Sequence, residues 1–213
     1  LASIGSSKMR KTFIILQLLL CLATGRSFLN WNIPRARRVV HIQYEIQKNH
    51  FHRRLKRMCR AMGITAEELS DRFHIVNARG LNLTGTEGIQ EISRIVKAYD
   101  PEIISFDPLY KVASGGENDI QDSKVILNAF DSLIEETKAA VAYVHHDAKG
   151  ASGDRDIRDR GAGSNILGRD YDACITLTPH VSEDDAAVIE TMLRNYKPQD
   201  PFTVLWTEDE GTG

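Results

Sequence analysis

Four polar clusters punctuate the apolar runs of this chain, and their types and order suit phosphate chemistry. Gly5-Ser6-Ser7-Lys8-Met9-Arg10-Lys11-Thr12 comes first, followed by Glu45, then Asp107, then the pair His145-His146. A loop that opens directly into a helix can wrap phosphate oxygens with backbone N–H groups and the helix N-terminus. In the pattern G-x-x-x-x-G-K-[ST], Lys11 would reach the β- and γ-phosphates of ATP and the Thr12 hydroxyl would ligate Mg2+. Lys8 would approach the γ-phosphate from the loop crest, and the whole cradle runs from Gly5 through Ser6, Ser7, Lys8, Met9, Arg10, Lys11 and Thr12 to Phe13. One position departs from the pattern. Arg10 stands where the second Gly belongs; it keeps a backbone donor but adds bulk, so either an extra phosphate contact or weaker binding follows.

The remaining clusters suit the other tasks of nucleotide hydrolysis. Asp107 follows the buried run Ile103-Ile104, where a carboxylate holding Mg2+ through water belongs. Glu45 leaves a strand and would orient or deprotonate the attacking water. His145 or His146, ending a further strand near the γ-phosphate, would report its presence to the next loop. A shared metal site for this pair is a poor reading, because adjacent strand residues face opposite ways and no third ligand is evident. Arg160 opens Arg160-Gly161-Ala162-Gly163-Ser164 and is the first candidate for an arginine supplied to a neighbouring subunit's phosphates, with Arg169, Arg194 and Lys197 as rivals. Each residue also has a plainer reading: a turn-capping Asp before Pro108, an exposed Glu, a surface salt bridge for each cation.

These groups need strands and helices to hold them. Leu1 to Ile4 reads as a strand end, Thr12 to Thr24 as a helix, and Val39 to Tyr44 as a strand. Lys48 to Met62 is an amphipathic helix with Phe51, Leu55, Met58 and Met62 inward and a solvated basic face of Arg53, Arg54, Lys56 and Arg57. A strand at Phe73–Val76, a helix at Thr86–Tyr99, a strand at Glu102–Asp107, a helix at Asp122–Thr137 and a strand at Ala139–Val144 complete an alternating series. Such alternation predicts an α/β fold with a mostly parallel sheet. Beyond it, Tyr171–Thr178, Ala186–Asn195 and Phe202–Thr207 read as strands without intervening helices, an antiparallel extension at one sheet edge. Polar stretches at 113–122 and 147–165 follow carboxyl ends of strands, where open α/β sheets bind ligands.

The 213 residues suit a single domain, with 42% hydrophobic content and a net charge of −2. That balance excludes a global basic field, so any nucleic-acid contact must come from local loops. Three cysteines, Cys21, Cys59 and Cys174, lack metal spacing and read as reduced core thiols of an intracellular protein. Met9-Arg10-Lys11 before the apolar run Phe13–Ala23 also has the outline of a secretory signal, though the run is too short to span a bilayer. No membrane association is expected. A start without Met and an end at Gly211-Thr212-Gly213 read as a piece of a longer chain.

Taken together the motifs resemble the RepA-type branch of RecA-like ATPases, hexameric replicative helicases of plasmids and phages in the AAA_25 group. Ser7-Lys8-Met9-Arg10-Lys11-Thr12 with Leu22-Ala23-Thr24-Gly25-Arg26 carries the resemblance, as do Tyr44-Glu45 with Arg54-Leu55 and Asp107-Pro108-Leu109-Tyr110-Lys111 with Gly116-Glu117-Asn118-Asp119. Val144-His145-His146-Asp147-Ala148-Lys149-Gly150 and Arg160-Gly161-Ala162 complete it, over Leu1 to Thr207. The resemblance implies a RecA-like core over 1–213, Mg2+-dependent ATP hydrolysis, a homo-oligomeric ring and work on single-stranded DNA. A primase or other replication protein as partner and a bacterial cytoplasm, in a plasmid or phage context, are implied with it. By position it makes Lys11 and Thr12 phosphate and metal ligands, Glu45 the catalytic carboxylate, Asp107 the second acid, His145 or His146 the sensor and Arg160 the finger. Three other readings stand beside it: a nucleotide-gated DNA-binding regulator with little turnover, a recombination-mediator ATPase, and a secreted protein starting at Met9.

Overall fold

The computed structural model describes residues 1–5, 9–81, 85–112, 120–146, 171–197 and 199–208. Among the described residues, five helices and eight strands form in the order β1 (Ala2–Gly5), α1 (Lys11–Thr24), β2 (Val39–Gln43), α2 (Lys48–Ala61), α3 (Ala66–Leu69), β3 (Phe73–Asn77), α4 (Thr86–Lys97), β4 (Ile103–Asp107), α5 (Ile120–Thr137), β5 (Ala140–His146), β6 (Ala173–Pro179), β7 (Ala186–Leu193) and β8 (Phe202–Leu205). All eight strands join one sheet in the order β3-β2-β4-β5-β1-β6-β7-β8. This is the expected α/β architecture, with helices flanking a mostly parallel sheet. The extension differs in one respect: β6 runs parallel to β1, and the antiparallel pairing begins only at β6–β7 and continues at β7–β8.

Alternation along the strands splits the core into two layers. Val40, Ile42, Ile104, Phe106, Val141 and Tyr143 face α4 and α5, whereas Val39, Phe73, Val144, Ile175 and Leu177 face α1 and α2. The helix α1 lies in the second layer, with Ile14, Ile15, Leu16, Leu19, Leu20, Cys21 and Ala23 all buried. The apolar run that resembles a secretory signal is therefore a core helix. Removing one of its buried leucines would cost about 2–5 kcal/mol. Gly25 stops it in a left-handed conformation, φ 72°, and its N–H bonds Cys21 O. A Cβ there would meet the Ala36 nitrogen at 2.9 Å, so both the dihedral and the space require Gly. Arg26 then bonds Met62 O, Gly63 O and Glu68, tying the end of α1 to α2 and α3.

The short α3 has no counterpart among the elements expected from the sequence. A reciprocal cap between Thr65 and Glu68 holds it: Glu68 N donates to Thr65 Oγ1 and Thr65 N to the Glu68 carboxylate. Cys21 and Cys174 are buried and Cys59 is half-buried, and none of the three is in a disulfide. No helix among the described residues is long and apolar enough to cross a membrane.

Candidate active site

Parallel strands place their carboxyl ends on one rim, and β1, β2, β4 and β5 end there with Gly5, Gln43, Asp107 and His146. In register, Gly5 sits beside His146 on one side and Leu177 on the other. A Cβ at Gly5 would come within 3.0 Å of the Leu177 carbonyl oxygen and 3.4 Å of the Lys11 side chain. A side chain at this point would need the Leu177 backbone to give way by a few tenths of an ångström, so Gly suits the exit of the strand between its two neighbours.

Lys11 and Thr12 open α1 directly above this rim. The Lys11 ammonium is buried and donates to Gly5 O at 2.7 Å, tying the start of α1 to the end of β1. Thr12 donates its hydroxyl to the Asp107 carboxylate. Arg10, preceding them, adopts the left-handed region at φ 53°, and Phe13 N and Ile14 N bond its carbonyl. Gly would take that conformation freely, whereas a residue with a Cβ takes it at a cost of about 1–2 kcal/mol. Arg10 thus holds the left-handed backbone conformation that Gly adopts freely. Ser6, Ser7 and Lys8 lie outside the described residues.

Asp107 is buried, and desolvation is the largest cause that raises its pKa to about 6. The Thr12 hydroxyl opposes this, Glu45 adds to it, and Lys11 and Arg54 oppose it more weakly. Behind Asp107 the chain turns through a cis bond to Pro108 and a 3-10 turn, Leu109–Lys111, which buries Leu109 and Val112. Those anchors fix the carboxylate at the rim.

Glu45 is exposed and sits in a turn that the Gln43 side chain holds with three hydrogen bonds. The Gln43 amide donates to Ile46 O at 2.8 Å and to the Asn77 side chain, and its carbonyl accepts from Ile46 N at 3.0 Å. Tyr44 N donates to Asp107 O at 3.0 Å, which couples the turn to the end of β4. Sequence reasoning missed Gln43. Its signal was a polar residue at the buried end of an apolar strand.

Arg54 is the second residue that sequence reasoning misplaced. It was expected on the solvated face of α2, but it is half-buried with its guanidinium 4.6 Å from the Phe13 ring centroid. Desolvation lowers its pKa, and both Asp107 and Glu45 act to raise it. A cation therefore stands beside both carboxylates, above the first turn of α1. The spacing from Phe51 could have signalled this, since positions 51 and 54 share one side of a helix. Arg53, Lys56 and Arg57 are exposed, as a solvated face requires.

His145 is buried in the other layer: it pairs in register with Ile4, which packs with the α4–α5 core. The structure thus separates it from Asp107, whose strand face is that of Ile103 and α1. The side chain of His146, residue Arg160, its rival Arg169, and the stretches 113–119 and 147–165 lie outside the described residues. Of the other rivals, Arg194 pairs with Asp172 at 3.1 Å, and Lys197 is exposed.

The donor set fits a magnesium–polyphosphate group. A hydroxyl and a buried carboxylate meet where the helix opens, the carboxylate is disfavoured as a charge without a cation, and a buried ammonium stands next to them. Such a rim on a mostly parallel sheet defines a P-loop ATPase of the AAA type. A family model described as an AAA domain, AAA_25, matches residues 2–152, and the chain belongs to that family. The match spans β1 through the end of β5 and so includes the loop, Glu45, Asp107 and both histidines. No curated protein matches the chain.

Proposed function

We propose that this chain hydrolyses ATP with Mg2+ at the β1–α1 rim and works as a ring-forming, DNA-stimulated motor, a replicative helicase or translocase on single-stranded DNA. The observation that carries the hydrolytic part is the joining of Lys11, Thr12, Asp107, Arg54 and the Glu45 turn at one end of the sheet. Lys11 would leave Gly5 O to bind phosphate oxygens, and Thr12 and Asp107 would hold Mg2+, which neutralises charge on the polyphosphate. Glu45 would take a proton from water or orient it, with the Arg54 cation beside it. With His145 committed to the other layer, His146 is the better sensor. Arg160 of a neighbouring subunit would complete the site.

Membership in the AAA_25 family supports the ATPase part, and the motif resemblance supports the ring, the single-stranded DNA and a primase or other replication partner in a bacterial plasmid or phage setting. The test is Mg2+-dependent ATP turnover with and without single-stranded DNA, for the parent chain and Glu45→Gln. DNA-stimulated turnover that the variant loses while still binding ATP is the expected result. Equal turnover by the variant removes Glu45 from catalysis. Tight binding without turnover in the parent favours a nucleotide-gated regulator, a reading to which the non-Gly residue at position 10 lends some weight.

A further inference from the structure

Arg10 stands where three separate parts of the chain meet. Its backbone is the left-handed cap of α1, beside Lys11. Its guanidinium donates to Asp185 Oδ1 at 2.6 Å, in the turn before β7, and lies 5.5 Å from the ring centroid of Trp206, just past β8. Trp206 N in turn donates to Asp185 O at 2.8 Å, so the two edge residues act as one unit. Both charged side chains are partly exposed, 44% for Arg10 and 63% for Asp185, and pairs of that kind hold weakly. The pair therefore contributes little to the fold. What it does is fix the position of a cation whose own backbone forms part of the anion cradle.

A bound polyphosphate would offer that guanidinium a second partner, with more charge and an oxygen geometry that suits its fork of donors. We propose that Asp185 and Trp206 hold Arg10 as a reserve phosphate ligand, so that nucleotide competes with the edge hairpin for its guanidinium and Asp185 sets nucleotide affinity. The proposal rests on the nucleotide-binding reading of the cradle. It also gives a use to Arg at a position where Gly is cheaper. Coupling of this kind is reciprocal: a partner that captured Asp185 on the hairpin would tighten nucleotide binding by the same factor that nucleotide tightens its own.

The test is calorimetric titration of Mg-ATP and, separately, of adenosine into the full chain. Four proteins are compared: the parent, Asp185→Asn, Arg10→Gly and the double variant. Glu183 and Asp184 stay in place, so the local field changes by one charge. Asp185→Asn is expected to bind Mg-ATP about two- to fivefold more tightly, the limit set by a weak exposed pair, and adenosine unchanged. In the Arg10→Gly background the same substitution is expected to change nothing. An unchanged or weakened affinity in the Arg10 background overturns the proposal, and so does an equal gain with Gly at position 10, which would be a general field effect. A parent that binds no Mg-ATP overturns the nucleotide reading and this proposal with it. A parent that binds while Asp185→Asn does not respond overturns the proposal alone.

Discussion

Glu102 and Asp107 bracket β4, one before its amino end and one closing its carboxyl end, yet their surroundings treat a negative charge in opposite ways. Glu102 accepts from Arg35 at 2.6 Å, from Arg37 at 3.1 Å and from the Arg38 backbone N–H at 3.1 Å. The Arg35 bond is the largest cause that pulls its pKa down to about 2. Asp107 has one hydroxyl donor, a neighbouring carboxylate and two cations of weaker effect, Lys11 and Arg54, and burial still pushes its pKa up to about 6. At the amino rim the charge is satisfied by the protein itself. At the carboxyl rim it is left expensive, and a divalent cation would relieve it. A fold seldom retains such a charge for stability alone, and this difference fits the proposal that structure belongs to one rim and chemistry to the other.

The largest expected effect tests the chemical rim. Lys11→Ala is expected to weaken Mg-ATP binding on the order of 100-fold or more, because a buried cation facing phosphate is lost. Binding within a few fold of the parent, read by the same titration, would move the phosphate site away from α1. Asp107→Asn comes next, with turnover expected to fall about 100-fold. At pH 7 its unliganded form is expected to be more stable than the parent, on the order of 1–2 kcal/mol by urea denaturation. A less stable variant would mean that the carboxylate is satisfied after all, and the contrast with Glu102 would fail.

Arg54→Gln is expected to lower turnover roughly tenfold with a smaller change in ATP affinity. It should also displace the acid limb of the pH–rate profile upward, since Asp107 would lose a nearby cation that lowers its pKa. An unmoved limb would return Arg54 to the solvated face where the sequence pattern put it. Glu102→Gln tests the other rim: stability is expected to drop by about 1.5–3 kcal/mol, the range for bonds to a charged group. Mg-ATP affinity should stay within twofold. A large change in affinity would show that the two rims are not independent.

How much of this was legible before the fold is clearest residue by residue. Lys11, Thr12 and Asp107 were readable because each directly adjoins an apolar run, and a run of that kind announces a buried element whatever its neighbours do. The layered α/β order followed from the same runs. Strand direction did not follow for β6, because a short alternating segment carries no mark of which neighbour it will join, and its partner β1 lies at the far end of the chain. The helix α3 is too short for periodicity, although Thr65 and Glu68 spell a cap that could have found it. Arg54 looked like its exposed neighbours on α2, since a helical pattern gives a face but not what stands opposite it. Asp185 and Trp206 meet Arg10 only through the sheet order.

The smallest expected effect is a cancellation in the acid range. His41 is buried on β2, stacked on Phe51 at 5.5 Å; its Nδ1 lies 3.2 Å from Ser105 Oγ, and its Nε2 has no hydrogen-bond partner among the described residues. Burial lowers its pKa to about 3, against 6.5 for the free side chain. Between those values the unfolded chain takes up a proton that the folded chain refuses, so stability falls as pH falls. Asp107 does the reverse: from about 6 down to its ordinary 3.8 the folded chain takes up the proton first, and stability rises as pH falls. Each proton is worth about 1.4 kcal/mol per pH unit, so between pH 6 and 4 the two contributions nearly offset each other. Glu102 joins only lower down, losing its contribution as pH drops from 4.5 toward about 2. Urea denaturation at pH 6, 5 and 4 is therefore expected to show Asp107→Asn losing about 1–2 kcal/mol more stability over that window than the parent. Parallel profiles would mean that Asp107 carries an ordinary carboxylate pKa, and the rim would lose the cost that marks it as a cation site.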